Sequence, residues 1–400
     1  MATRHITAPA GFVAGAVAAG IKQSGKPDVA IIAAESLAIA AILTTRNQVF
    51  GEPVRWCRRI LPRGSGRIRA IVINAGCSNV CTGAAGFHDA AAMAKRVAKR
   101  LGCRAEQVLV ASTGIIGHRL PMRKILAGID AAAARLGVGD DEAVVRAIMT
   151  TDLKEKSAVV HVRLGGKDIT VAGIAKGSGM IAPHLATMIS VITTDALVPP
   201  ALLHKALREV VGGTFNAVTV DSDTSTSDTV AVLASGAAGA GPRSAASGDY
   251  RRFVKALGDV CGRLARAIAA DGEGATKLVS IEVRGALGDA EAAIAAKSVA
   301  DSPLVKCAIH GGDPNGGRIA AALGKSAAKV SPEKLSIRIG GVTVFARGRP
   351  KAFDIAKVRQ HLRGSEVRVQ ARLGLGRGTF TAWTCDLSRQ YIAINADYHT

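Results

Sequence analysis

An α/β fold is predicted by three features of this 400-residue sequence. Short apolar runs rich in Ile and Val alternate with longer Ala-rich stretches of helical spacing along the whole chain, the pattern of an α/β or α+β protein. Hydrophobic residues make up 48% and charged residues 21%, which provides a sizeable core and excludes bulk disorder. Aromatics are only 3%, so packing must rest on Ala, Val, Ile and Leu, with 45 glycines allowing tight turns and close approaches. At ~100–200 residues per domain, the length implies two domains or one large one.

The elements read in order as follows. Segment 68–75, IRAIVINA, is a buried strand, and 86–102 has helical spacing ending on Gly102. Segment 107–112, QVLVAS, is a second strand that runs into the turn Thr113-Gly114. Helices fit 122–137 and 141–150, and 157–175 alternates around Gly165-Gly166, a hairpin signal. A helix at 199–211 precedes strand-like segments 217–221 and 228–234, which flank the polar stretch DSDTSTSD. The Ala/Gly-rich stretch 234–248 reads as a surface loop, followed by a long helix at 249–270 and a strand in TKLVSIEVRGA. Helices near 288–300 and 316–323, a hairpin around Gly340-Gly341, a helix at 353–363 and strands at 366–372 and 378–384 lead to the final YIAINADYHT. No internal repeat and no clear interdomain linker is visible.

Lys and Arg number 52 against 31 Asp and Glu, a formal charge of +21 that favours anionic partners. The basic residues are dispersed, without an RNP-like aromatic string or zinc-finger spacing, and the few aromatics supply little for base stacking. A site for small carboxylates or phosphates therefore fits better than nucleic acid. Seven scattered cysteines, an odd number, do not form a secreted disulfide framework and read as reduced thiols. Cys77 and Cys81 with His88 form at most half of a metal site, and no second pair accompanies them. Residues 8–20 imitate a signal peptide but are broken by glycines. The stretch 177–194 holds Gly179, Pro183 and several Ser and Thr, so it reads poorly as a membrane span. The expectation is a soluble, cytoplasmic protein.

Polar, Gly-rich islands sit at strand ends: Ser112-Thr113-Gly114, Lys176-Gly177-Ser178-Gly179, the stretch 221–226, and Asp271-Gly272-Glu273-Gly274. Loops at strand ends are where sites form. No Walker loop, GxSxG elbow or HExxH motif is present, and the histidines show no pairing that would support a Ser/His triad. Asp221, Asp223 and Asp228 could hold Mg²⁺ or Ca²⁺, but the spacing is not that of an EF-hand and turn-forming Asp side chains explain it better.

Taken together the islands resemble one family. The string KGSGMIAPHLATMI at 176–189 resembles the self-cleavage segment of the ornithine acetyltransferases, the bifunctional arginine-biosynthesis enzymes. The opening GFVAGAVAAGIKQSGKPDVA, then INAGCSNVCTG, ASTGIIG, IMTTD, TFNAVTVDSDTSTSDT, DGEGATKL, SPLVKCAI and the closing INADYHT follow in the family's order along the whole chain.

The resemblance implies an α/β fold of stacked sheets flanked by helices, with a smaller C-terminal α/β domain at about 280–400. It implies cleavage between Ala186 and Thr187 into a 1–186 fragment bearing the oxyanion loop and a 187–400 fragment beginning with the nucleophile Thr187, two of each assembling as a heterotetramer. The small Ala186 side chain leaves its carbonyl approachable by the Thr187 hydroxyl. The freed α-amine, which titrates near ~8 in model peptides, can then serve as base for that hydroxyl. Thr113 and Gly114 match the oxyanion pair. Lys176, Thr187, Glu273, Asn395 and Thr400 match the substrate-binding set, with Lys176 suited to an α-carboxylate and Glu273 to the δ-ammonium of ornithine. The implied reaction moves acetyl from N²-acetylornithine to Thr187 and on to glutamate. No cofactor or metal is implied; acetyl-CoA is a candidate second donor. Three positions depart from the pattern: Leu153 stands where a substrate-contacting Thr is usual, His184 where Asn or Asp is common, and Gly316 where Trp is usual. The alternative is an N-terminal-nucleophile amidase or aminopeptidase of similar fold, in which water replaces glutamate. A basic nucleic-acid binder would rest on the +21 charge alone.

Overall fold

A computed structural model describes residues 4–182 and 188–397. The first sheet contains eight strands among these: β1 (Phe12–Val17), β2 (Val29–Thr44), β3 (Ser65–Cys77), β4 (Val108–Ile115), β5 (Lys156–Leu164), β6 (Lys167–Lys176), β7 (Ile189–Thr194) and β8 (Thr229–Ala234). Their order is β4-β3-β2-β8-β7-β6-β5, with β1 also paired to β2. Interspersed are helices α1 (Glu52–Ile60), α2 (Gly83–Leu101), α3 (Met122–Ala134), α4 (Asp141–Ile148), α5 (Pro200–Gly212) and α6 (Gly248–Ala270).

This sheet is not flat. The β2–β3 register breaks between Ala33 and Ala38; β3 pairs with β2 on both sides of the break, whereas β1 pairs before it and β8, leading on to β7, β6 and β5, after it. In an open sheet, at ~4.8 Å per strand, β4 and β6 would lie ~24 Å apart. Instead Lys176 at the end of β6 lies 3.3 Å from Thr113 on β4. The sheet therefore folds over itself at the β2 break. Ile174, Ile189, Val191, Ala231 and Leu233 from β6, β7 and β8 share one core with Ile71, Ile73 and Val110 from β3 and β4. The alternate residues Val171, Ile192, Val230 and Val232 face a second core made with α5 and α6. Period-two alternation in β7 and β8 thus divides their side chains between two apolar layers. The stacked sheets flanked by helices are the architecture expected.

The second sheet has its own core. It comprises β9 (Leu278–Ala286), β10 (Ser336–Ile339), β11 (Val342–Ala346), β12 (Arg349–Pro350), β13 (Glu366–Arg372) and β14 (Gly378–Cys385), in the order β12-β11-β10-β13-β9-β14. Its helices are α7 (Asp289–Ala300), α8 (Pro303–His310), α9 (Gly316–Gly324), α10 (Ile355–Leu362) and α11 (Arg389–Asp397). The hairpins at Gly165-Gly166 and Gly340-Gly341 are as expected, each with positive φ at both glycines, the requirement of a tight two-residue turn.

Several expectations need correction. Segment 217–221 is not a ladder strand: a 3₁₀ turn occupies Phe215–Ala217, and only a single bridge from Val218 to Trp383 follows. Strands β1 and β2 and helices α1 and α8 have no counterpart among the expected elements; β1 falls within residues 8–20. Among the described residues no helix is long and apolar enough to cross a membrane.

Gly316 opens α9 and is buried, and a Cβ there would lie 2.9 Å from Val344 Cγ2. The subdomain is packed for glycine at this point. Gly316→Trp is expected to cost about 1–3 kcal/mol through overpacking, measured as a lower urea midpoint at unchanged slope. A variant as stable as the wild type would show that the space opens freely.

Candidate functional site

The end of β6 and the loop after it deliver Lys176 to a cleft of about 1130 Å³. Its lining includes Thr113, Gly114, Lys176, Leu153, Glu273 and Asn395, so six site residues named from the sequence converge from five separate segments. Ala186, Thr187 and His184 lie outside the described residues, as does Thr400. Met188, the first described residue beyond them, is buried, and Ile189 stands opposite Lys176 in the β6–β7 register.

Thr113 and Gly114 close β4, where it runs parallel to β3 with Gly114 paired to Gly76. Gly114 has φ +125, and a Cβ on it would lie 2.3 Å from the Gly76 carbonyl carbon. Only glycine permits this approach and this backbone direction at the mouth of the cleft. The buried Lys176 ammonium donates to Thr113 Oγ1 at 3.3 Å. A hydroxyl that accepts from an ammonium is polarised and keeps its own proton to give, so Thr113 is set up as a donor.

Charge around Lys176 is organised by residues the sequence did not single out. Burial depresses the Lys176 pKa, with Asp152 opposing that shift. Asp152 is itself buried; its Oδ1 accepts from Lys156 Nζ at 2.7 Å and from the Gly177 amide at 2.6 Å, and its Oδ2 from the Thr150 amide at 3.0 Å. Burial alone would raise the Asp152 carboxyl, but the Lys176 and Lys156 charges and these donors hold it at about 2. Lys156, fully buried, also donates to Asp271 Oδ2 at 2.6 Å. The same Asp271 oxygen accepts the amides of Leu153 and Lys154, each at 3.1 Å. Two aspartates and one lysine thus fix the 150–154 turn, while the Leu153 side chain stands 84% exposed in the cleft. Strand spacing gives no hint of these partners, which lie up to 118 residues apart.

Opposite, Glu273 receives the Asn395 side-chain amide on Oε2 at 3.0 Å, and its own amide donates to Ser178 O at 2.9 Å. Gly179 leaves room for the Glu273 carboxylate, since a Cβ there would lie 2.3 Å from Glu273 Oε2 and push that side chain aside. Asn395 comes from α11 and lines the cleft. The aspartates considered for a cation are otherwise engaged: Asp221 accepts three backbone amides, from Met180, Ile181 and Asp223, and Asp228 accepts that of Met188. The Cys77 thiol faces the carbonyls of His118 and Arg119. Among the described residues no cluster of three metal-ligating side chains occurs.

A cleft with converging polar groups at strand ends, an ammonium at its floor and a carboxylate on its far wall belongs to an α/β enzyme for small charged substrates. The family model described as the ArgJ family matches residues 13–400, and the chain belongs to that family. It is 46% identical over 400 residues to the arginine biosynthesis bifunctional protein ArgJ of Symbiobacterium thermophilum, covering 99% of this chain and 98% of that one. The protein of the same description from Deinococcus radiodurans is 45% identical over 395 residues, covering 99% and 98%. Among solved structures, an arginine biosynthesis bifunctional protein from Bacillus halodurans is 42% identical with a TM-score of 0.50, covering 52% of this chain and 97% of its own.

Asp152 makes acid stability testable. A carboxyl depressed in the fold contributes stability that is present above the unfolded value and lost as pH falls through the folded one. For Asp152 the loss falls between the usual carboxylate range near ~4 and about 2. It amounts to about 2 kcal/mol. Urea midpoints taken from pH 5 to 2 should fall more steeply for the wild type than for Asp152→Asn, and parallel slopes would remove Asp152 from this role.

Proposed function

We propose that this member of the ArgJ family is a self-processed acetyltransferase of arginine biosynthesis, moving acetyl from N²-acetylornithine to glutamate through an acetyl ester on Thr187. The observation that carries the reading is the convergence on one cleft of Thr113, Gly114, Lys176, Glu273 and Asn395, beside a strand that starts two residues after position 187.

The chemistry runs in two halves. In maturation the Thr187 hydroxyl attacks the Ala186 carbonyl, the peptide bond becomes an ester, and water hydrolyses it to leave Thr187 with a free α-amine. In turnover that amine takes the hydroxyl proton as the oxygen attacks the acetyl carbonyl of acetylornithine. The oxyanion that forms receives the Thr113 hydroxyl and the Gly114 amide, donors worth roughly 3–4 kcal/mol each when aligned. Collapse expels ornithine, whose departing nitrogen takes the proton back. Glutamate then attacks the acetyl-Thr187 ester through its amine, and N-acetylglutamate leaves. Lys176 holds the substrate α-carboxylate, Glu273 the δ-ammonium of ornithine, and Asn395 and Thr400 supply polar contacts. Acetyl-CoA is a candidate second donor, entering as substrate. The fragments 1–186 and 187–400 assemble as α₂β₂ in the cytoplasm. The solved Bacillus halodurans chain supports cleavage, since it is matched over 97% of its own length but only 52% of this one, as a half-length fragment would be.

Mass spectrometry tests maturation directly. The wild type should give two fragments whose masses together equal the 40.9 kDa chain plus one water. Thr187→Ala should remain one chain without transferase activity; an intact wild-type chain that transfers acetyl groups would overturn the mechanism. Release of ornithine from acetylornithine should require glutamate, and equal release into water alone would instead identify an amidase.

Leu153 presents an exposed apolar side chain where the resemblance leads one to expect a threonine hydroxyl. Leu153→Thr should lower KM for acetylornithine several-fold, a gain of about one hydrogen bond at 0.5–1.5 kcal/mol. An unchanged or higher KM would mean that the pocket takes a different acyl donor.

A further inference from the structure

We propose that Asp221 and Asp228, the two ends of the polar stretch 221–228, are positioning residues that brace the chain on both sides of position 187, for cutting and for acyl transfer. This rests on the self-cleavage reading above.

The geometry is two-sided. On the near side Asp221 Oδ2 accepts the Met180 amide at 2.6 Å and Oδ1 the Ile181 amide at 2.8 Å, while the Val220 amide donates back to Ile181 O at 2.7 Å. On the far side Asp228 Oδ1 accepts the Met188 amide at 3.0 Å, and the Thr229 amide donates to Met188 O at 3.0 Å. Ile181 and Met188, both buried, are therefore tied to the same eight-residue stretch.

That stretch is itself anchored. Thr45 donates its amide to Asp228 O at 3.1 Å and its hydroxyl to Ser225 O at 2.5 Å. Asn47 donates to Thr224 O at 2.8 Å and the Gly51 amide to Thr226 O at 2.9 Å. From the C-terminal subdomain the buried Lys306 ammonium reaches Val220 O at 2.7 Å. A loop held by β2, by the start of α1 and by α8 is a stiff ruler between residues 181 and 188. Hydrolysis between them would create two new chain ends, and without such a ruler the reacting groups would separate on cleavage. Asp228 holds Met188 through Oδ1. Burial pushes this carboxyl well above the ordinary range. The grip therefore needs one acceptor oxygen rather than a negative charge, which an asparagine can supply.

The test uses the full-length chain. Cleavage is followed over time by mass, and kcat and KM are measured on the cleaved population of the wild type, Asp228→Ala, Asp228→Asn and Asp221→Ala, with thermal midpoints alongside. Asp228→Ala should slow cleavage and lower kcat by about 100-fold, the effect of roughly 1 Å of misplacement, with KM unchanged. Asp228→Asn should recover both rates to within a few-fold. A folded Asp228→Ala that cuts and turns over like the wild type overturns the brace. So does a folded Asp228→Asn as defective as the alanine variant, since the requirement would then be the acidic proton. If Asp228→Ala does not fold, Asp221→Ala, which releases the amides of Met180, Ile181 and Asp223 but leaves Met188 held, decides by the same rates. A wild type active as one intact chain would remove the self-cleavage reading itself, whatever the variants do.

Discussion

The buried carboxylate of Asp152 is the interaction on which the cleft depends. An ammonium in an apolar interior is costly unless an opposite charge and hydrogen bonds accompany it. Lys176 and Lys156 are both buried beside Asp152, and Asp271 supplies the second negative charge. Removing either aspartate would leave an excess positive charge in the core. The same two carboxylates take backbone amides from residues 150, 153, 154 and 177, so charge balance and loop shape are one constraint.

That constraint operates only because the first sheet folds over. Once the β2 register breaks, the ends of β4 and β6 face each other, and the donor pair at Thr113-Gly114 comes into contact with the cation at Lys176. The C-terminal subdomain completes the arrangement from outside. Lys306 buttresses Val220, Asp386 accepts from Thr276 and Lys277, and Ser388 donates to Gly274 O at 2.6 Å, so the 271–274 turn that carries Glu273 is held from both ends. Other residues are sterically excluded at Gly114, where a Cβ would meet the Gly76 backbone, and at Gly179 a Cβ would displace the Glu273 carboxylate.

The formal charge of +21 contributes little to this site. Several exposed basic side chains pair with exposed carboxylates, as Arg146 does with Glu142 and Lys255 with Asp259. Exposed pairs of this kind contribute about 0–1 kcal/mol. A handful of buried charges sets the electrostatics of the cleft, and composition cannot distinguish them from the rest.

The sequence by itself determined the alternating α/β class, the two glycine hairpins, and, through islands spread over the chain, the identity of Thr113, Gly114, Lys176, Glu273 and Asn395 as one set. Those features are local: period, turn chemistry and short strings survive in one dimension. It misjudged 217–221, whose strand-like residues pack against Ile181 and Trp383 rather than joining a ladder, and left β1, β2 and α1 unread because Ala- and Gly-rich strands carry a weak periodic signal. Only the tertiary structure decided that Asp152, Lys156 and Asp271 form one buried charge set, and that Asp221 and Asp228 grip backbone rather than a cation. The reason is physical: each of those roles depends on which distant amide or ammonium arrives within 3 Å, and the folding of the sheet at β2 decides that, not the residue type.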